Sequence, residues 1–202
     1  MLALRTKNGG FVMSGKERLR DYLAFAGILC CNVNPYLPCL SDIGCTWQDL
    51  TQLIDEQGLF YCKAYRGRAV YLSLDVYFLQ KALSRDVQLD DDCKRLLDIL
   101  AMIEPASAET LKKTALMEDR RFTKTLQALL AHMKITALKS GRVINPNWTA
   151  FEYCLAETWE KHVKAPDLPD DPAAALQSIL RRTMKEEEFA RFAKQNLRLA
   201  ST

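Results

Sequence analysis

Two stretches of the sequence, residues 47–83 and 120–162, follow the same order of local patterns. Each contains an amphipathic helical pattern, a strand-like run, a glycine-centred turn, a second strand-like run and a closing helical pattern. The turns are centred on Gly67 and Gly141, and apolar and β-branched residues flank both of them. An X-Gly pair between such runs is a strong signal for a β-hairpin. Each stretch is therefore predicted to be a helix followed by a small hairpin.

A helix followed by a small hairpin is typical of the winged helix, and here the pattern occurs twice. The sequence therefore predicts a mainly α fold with small β-hairpins (α+β), arranged as tandem winged-helix (winged helix-turn-helix) domains. We expect a flexible arm at 1–14, a first winged-helix-like domain at 15–85 and a second winged-helix domain at 86–165. Residues 166–202 are expected to form a linker and a C-terminal helix, because 165–172 contain three prolines.

Apolar periodicity gives the remaining elements. It predicts a helix over 16–31, an irregular segment over 36–44 and helices that begin after Thr46, Ser73, Asp90 and Ser107. It further predicts a hairpin over 135–145 with its turn at Gly141, and a helix over 148–162. The first domain is the less complete, since only one clear helix of suitable length immediately precedes its hairpin.

The composition, with 49% apolar and 26% charged residues, is typical of a globular protein. No apolar run reaches the roughly 18 residues of a membrane helix, and the acidic residues within 16–21 argue against a signal peptide. We therefore expect a cytoplasmic protein with no membrane partner. The seven cysteines include no Cys-x-x-Cys pair and the two histidines are far apart, so we expect reduced thiols, no metal and no cofactor.

Charge is distributed unevenly along the second predicted domain. Residues 86–106 contain six acidic and two basic residues, whereas residues 107–144 contain eight basic and three acidic residues. A local excess of cations is expected where a protein contacts phosphate.

The helix over 120–133 has two contrasting faces. Its apolar stripe consists of Phe122, Leu126, Leu129, Leu130 and Met133. Its opposite face consists of Arg121, Lys124, Thr125 and Ala128, without a carboxylate. Cationic and short side chains opposite a packed face are what a recognition helix needs to approach a DNA groove.

Basic residues at both predicted hairpin tips extend this surface, since a wing tip can reach backbone phosphate. No catalytic residue is assigned. The predicted DNA-binding residues are Lys112, Lys113, Arg120, Arg121, Lys124, Thr125, Lys139, Arg142, Arg66 and Arg68.

Residues 122–130 (FTKTLQALL), followed by a wing and an aromatic helix around Trp159, resemble the winged-helix family of AlkZ-type DNA glycosylases and their related proteins. Residues 65–74 (YRGRAVYLSL) are also similar to the shorter members, and the resemblance spans roughly residues 47–180. In that family, catalytic members use a Gln-apolar-Gln or Gln-apolar-Asp motif in their N-terminal part. Here the local match, Gln88-Leu89-Asp90, lies in the acidic junction, so the resemblance implies a noncatalytic member.

Three hypotheses follow. The first is a noncatalytic protein that binds double-stranded DNA as a transcriptional regulator or a repair-associated binder. The second, which rests on the resemblance alone, is a DNA glycosylase acting on alkylated bases. The third is a protein-interaction or dimerisation module, with a homodimer formed through the terminal helices.

Overall fold

The computed structural model describes residues 13–145 and 148–198, and these form an α+β fold as predicted. The first half contains α1 (Gly15–Ala26), β1 (Ile28–Cys30), α2 (Trp47–Asp55), β2 (Phe60–Tyr65), β3 (Arg68–Leu72) and α3 (Leu74–Leu83). The second half contains α4 (Asp91–Ile103), β4 (Ala106–Ser107), α5 (Ala108–Ala115), α6 (Asp119–Ala131), β5 (Ile135–Asn145), β6 (Trp148–Leu155) and α7 (Ala156–Glu160). Two further helices follow, α8 (Pro172–Leu180) and α9 (Glu186–Asn196). The arm predicted at 1–14 lies almost entirely outside the described residues.

Each half contains a three-stranded antiparallel sheet in which the first, short strand pairs with the last one. The strand orders are β1-β3-β2 and β4-β6-β5. The hairpin between β2 and β3 turns at Arg66 and Gly67, whose φ angles are 52° and 64°. A two-residue turn with positive φ at both positions matches the twist of the flanking strands. The turn predicted at Gly67 is confirmed.

Hydroxyl and carboxylate caps begin the helices where the sequence predicts them. The side chains of Thr46, Ser73, Asp90 and Ser107 each accept a hydrogen bond from a backbone N–H in the first turn of the helix that follows. Such caps satisfy donors that the helix itself leaves unpaired.

The turn predicted at Gly141 is wrong, because β5 continues through this glycine to Asn145 and β6 begins at Trp148. A Cβ atom at Gly141 would lie 3.1 Å from Glu152 Cγ and 3.3 Å from the Ala150 carbonyl oxygen. The glycine therefore permits a close approach of the facing strand, in a stretch where the strand register is irregular.

Two predicted helices are also wrong in extent. The helix predicted over 16–31 ends at Ala26, because Gly27 adopts a left-handed conformation and the chain then enters β1. The helix predicted over 148–162 is β6 followed by the short α7. Phe151 and Tyr153, two residues apart, are both buried, which is the period of a strand rather than a helix.

The two halves share their apolar core and meet at the edges of their sheets. One buried cluster includes Leu50 and Tyr61 of the first half together with Leu96 and Phe122 of the second. At the junction, the Tyr61 N–H donates to Thr136 Oγ1 at 3.0 Å, and the Thr136 hydroxyl donates to the Tyr61 carbonyl oxygen at 2.9 Å. A single buried threonine thus joins strands β2 and β5.

The C-terminal helices cover the first half. Helix α8 packs against α3, and α9 contacts β2. Phe189, Phe192 and Leu197 are buried in the same cluster as Phe60 and Tyr77. These apolar side chains are therefore not free to form the predicted homodimer contact. In the part of the chain that the structure describes, no helix is long and apolar enough to cross a membrane.

Candidate nucleic-acid interface

Helix α6 lies at the centre of the predicted DNA-binding surface. It packs against both β2 and α4, and it buries Phe122, Leu129 and Leu130. Thr125 is buried as well, and its hydroxyl donates to the Arg121 carbonyl oxygen at 2.9 Å. Because two neighbours cover the helix, only a narrow sector of its surface faces outward.

This outward sector consists of Arg120, Thr123, Lys124 and Gln127, which we call the α6 stripe. The four residues are spaced at i, i+3, i+4 and i+7, so they form one line along the helix. All four are exposed, and none is acidic. Neither Arg120 nor Lys124 forms an ion pair with another described residue. Both cations are therefore available to a ligand from solvent.

The outward face predicted from the sequence is rotated by about one residue from the α6 stripe. Of its four predicted members, Lys124 lies on the stripe, whereas Thr125 is buried and Ala128 is partly buried. Arg121 reaches sideways to α4, where its Nε and Nη2 groups donate to both carboxylate oxygens of Asp92. This guanidinium lowers the pKa of Asp92. The assignment of Thr125 to a DNA-facing surface is thus wrong, because contacts with a second neighbour broaden the buried side of the helix.

The other cations of the second half share carboxylates within the chain. Lys112 pairs with Asp119, and Lys113 approaches Glu109 at 2.8 Å. Arg142 also faces Glu109 at 3.9 Å. The hydrogen bond and charge of Lys113 are the main cause of the lowered pKa of Glu109, and the positive charge of Arg142 lowers this pKa further. Lys139 of β5 lies 3.1 Å from Glu152 of β6. Much of the local basic excess is therefore balanced by neighbouring carboxylates.

The far end of the β5–β6 hairpin is apolar, whereas the sequence predicted a basic tip. Val143, Ile144 and Trp148 are exposed to 68%, 53% and 42%, and we call them the wing patch. Trp148 stacks on Trp47 of α2 with ring centroids 4.2 Å apart. Lys139 and Arg142 lie further down the strand, because β5 continues past them to Asn145. In the sequence, Asn145-Pro146-Asn147 is a turn signal that lies beyond Gly141.

The arginines of the first hairpin lie in a different setting. Arg66 donates to Glu188 of α9 through Nε at 2.8 Å and through Nη2 at 2.6 Å. The Tyr65 hydroxyl donates to the same carboxylate at 2.7 Å. The Arg66 and Tyr65 hydrogen bonds lower the pKa of Glu188 to about 2. Arg66 thus holds α9 on the first half, while Arg68 is exposed and lies 5.8 Å from the Tyr36 ring.

The Gln88-Leu89-Asp90 motif has a structural role. Asp90 Oδ1 accepts the Cys93 N–H at 2.8 Å and so caps α4. Hydrogen bonds from Cys93 lower the pKa of Asp90, and nearby Lys124 and Arg121 lower it further. The Oδ1 atom of Asp90 is therefore engaged in the helix cap.

The described residues offer little support for a reactive thiol or a metal site. All seven cysteines are buried free thiols, and no group of three or more His, Cys, Asp or Glu side chains within 13–145 and 148–198 could hold a metal ion. Burial raises the pKa of Cys30 to about 11 and those of Cys62, Cys93 and Cys154 to about 12. These four thiols are consequently protonated at neutral pH and are poor nucleophiles.

Comparisons with known proteins return no relative for this chain. A scan against protein-family models finds no matching family, and searches of curated proteins and of solved structures find no match. The geometry of the chain itself is therefore the basis for assigning its function.

Proposed function

We propose that each half is a winged helix and that the chain binds double-stranded DNA through α6 without catalysis. The order α4-β4-α5-α6-β5-β6 supports this assignment for the second half, because two helices precede a hairpin that pairs with a short first strand. The first half has the same order of strands, with an irregular segment between β1 and α2.

The observation that carries the proposal is the α6 stripe. Arg120 and Lys124 offer unpaired positive charge to phosphate or to guanine edges, and Gln127 offers an amide suited to adenine. Thr123 is a short side chain between them, and its hydroxyl already donates to the Asp119 carbonyl oxygen. A line of hydrogen-bond donors without a carboxylate is the kind of helix surface that suits the major groove of DNA.

The surrounding ion pairs support a weaker, accessory role for the other cations. Arg142 and Glu109 are 3.9 Å apart and largely exposed, so their mutual attraction in water is small. A phosphate group can replace Glu109 as the partner of Arg142. Lys112, Lys113 and Lys139 already have closer carboxylate partners and should contribute less.

Fluorescence anisotropy with a labelled duplex tests the proposal. The variant Arg120→Ala/Lys124→Ala should bind at least about tenfold more weakly than the intact chain. The slope of log affinity against log salt should become shallower by roughly 2, since two phosphate contacts are lost. The matched control is Arg191→Ala/Lys194→Ala, which removes one exposed arginine and one exposed lysine from α9.

The control variant should retain nearly all of the affinity. Equal losses in the two variants would show that net charge alone determines binding and would refute the site. Absence of salt-sensitive binding by the intact chain would refute DNA as the partner.

A second candidate, a protein-interaction module, has the wing patch in its favour. Exposed apolar side chains near the end of a hairpin can mark contacts with other proteins. If the wing patch mediates self-association, sedimentation should show concentration-dependent dimers that the variant Val143→Ser/Ile144→Ser abolishes. A chain that stays monomeric at all accessible concentrations would exclude self-association as the function of the wing patch. No observation favours the glycosylase alternative, because Asp90 serves as a helix cap.

A further inference from the structure

A cleft of about 690 Å³ lies where the chain crosses from the first half to the second. One face of α3 forms a wall through Tyr77, Gln80, Lys81 and Ser84, which are spaced at i, i+3, i+4 and i+7. The rest of the lining comes from the connecting residues 85–88, one face of α4, the end of α6 with residues 132–134, Leu155 and helix α7, and from Gln195 and Asn196 of α9. The volume is in the range of sites that bind small molecules.

Gln80 in this wall has a buried side chain whose carbonyl oxygen lacks a partner among the described residues. The residue is only 2% exposed, and its Oε1 atom has no hydrogen-bond partner among the described residues. A buried acceptor left unpaired destabilises a protein, so such groups usually have a partner. Among the other buried polar side chains, Ser73, Thr125 and Thr136 are hydrogen-bonded, whereas Tyr22, Trp47, Trp159 and Thr183 each also carry a buried polar atom without a partner among the described residues.

The charges around the cleft are nearly balanced. Lys81 contacts Glu160 at 2.6 Å, and the Tyr77 hydroxyl donates to the same carboxylate at 2.5 Å. Asp86 pairs with Arg198. The remaining charged side chains of the lining are two cations, Arg85 and Lys134, and two anions, Asp98 and Glu157. The lining therefore favours neither an anionic nor a cationic ligand.

The lining also includes apolar side chains on the second half, among them Leu97, Met133 and Leu155. Burial of such apolar surface under a ligand lowers the free energy of the complex. A flat ring suits this kind of contact. The glutamine amide supplies the polar counterpart, since its carbonyl oxygen accepts an N–H and its amino group donates to an oxygen.

We propose that this cleft binds a small uncharged planar molecule with an amide edge, of nucleobase size, whose N–H donates to Gln80 Oε1. Because Gln80 Oε1 is closed to solvent in the unliganded chain, its amide turns towards the cleft when the ligand binds, and the ligand also covers the apolar residues of the second half. The site itself includes both halves, because residues of α3 and α4 line it. The site is separate from the α6 stripe and requires no nucleic acid.

Uracil, hypoxanthine and nicotinamide are suitable probes, each titrated to about 10 mM to reveal dissociation constants in the millimolar range. The readout is the side-chain amide signal of Gln80 in ¹⁵N–¹H spectra, assigned by its disappearance in Gln80→Met. At least one probe should shift this signal saturably. The ligand control is 1,3-dimethyluracil, which keeps the ring but lacks both N–H donors and should produce no saturable shift.

Variants separate the amide contact from general packing. Gln80→Met keeps the length of the side chain and should weaken binding at least about tenfold, measured on backbone signals of α3 and α4. The matched control Gln177→Met changes an exposed glutamine of α8 and should bind as the intact chain does. Ala101→Phe places a ring in the cleft from the α4 side and should also abolish binding.

Three outcomes would overturn the proposal. They are no saturable shift with any of the three probes, an equal response to 1,3-dimethyluracil, and unchanged affinity in folded Gln80→Met. Because no DNA is present, failure here leaves the DNA-binding proposal intact, and failure of DNA binding leaves the cleft intact.

Discussion

The two halves of the molecule have the same order of strands but expose different surfaces. In the second half, α5 stands between the first strand and α6. In the first half, the corresponding stretch is irregular and is held by side chains. Asn34 Oδ1 accepts the N–H groups of Tyr36 and Leu37 at 3.0 Å, and Asp42 accepts the Cys39 N–H at 2.9 Å. One pattern of strands therefore tolerates both a helix and an irregular loop at this position.

The helices that precede the two hairpins differ more in chemistry than in geometry. Helix α2 has no lysine or arginine, and its Asp55 accepts hydrogen bonds from the backbone and the hydroxyl of Ser140 at 2.6 and 2.8 Å. In helix α6, neither Arg120 nor Lys124 forms an ion pair with another described residue. Helix α2 is therefore hydrogen-bonded to the other half, whereas the outward side of α6 is exposed and can contact a ligand.

The largest expected effect tests whether the first half depends on α9. Phe192→Ala should lower the free energy of unfolding by about 3–5 kcal/mol, because a fully buried ring is lost beside Phe60 and Tyr77. Urea denaturation measures the change, with Lys194→Ala on the exposed side of α9 as the control. A loss below about 1 kcal/mol would mean that α9 does not complete this core.

A smaller effect is expected at the contact between the halves. Thr136→Val keeps the shape of the side chain but leaves the buried N–H of Tyr61 without its acceptor. Loss of such a partner should destabilise the chain by about 1–3 kcal/mol. Thr114→Val, on the exposed surface of α5, should change stability by less than about 0.5 kcal/mol. If both substitutions have the same small effect, the two halves are not joined through Thr136.

The smallest expected effect concerns acid stability and the role of the first hairpin. The pKa of Glu188 is about 2 in the folded chain, below the value of roughly 4.3 for an unfolded glutamate. Its contribution to stability is therefore complete above the unfolded value and is lost as the pH falls towards 2. In Glu188→Gln, the free energy of unfolding should depend less steeply on pH between these values.

Glu187→Gln, a change at the exposed neighbouring position, should preserve the pH dependence of the intact chain. An identical pH profile in intact and Glu188→Gln proteins would show that Arg66 does not hold α9 through this carboxylate.

Local rules predicted the helix starts and the first hairpin because caps and turn residues act within a few positions. Thr46, Ser73, Asp90 and Gly67 needed no knowledge of the rest of the chain. The role of Gly141 could not be predicted from local rules. In a sequence, a glycine that allows a facing strand to approach closely looks the same as a glycine that forms a turn. The exposed side of α6 was misplaced by a residue because the helix packs against two neighbours, β2 and α4, and Thr125 is buried. Likewise, the partners of Arg66 and Arg121 are 122 and 29 residues away, beyond the reach of any local pattern.

The most direct test of the difference between the halves is backbone amide chemical-shift mapping of the intact chain with a DNA duplex at low salt. We predict perturbations concentrated on residues 119–127 of α6, with little change over α2. Perturbations concentrated on α2, or equal on the two helices, would contradict the assignment of DNA binding to the second half.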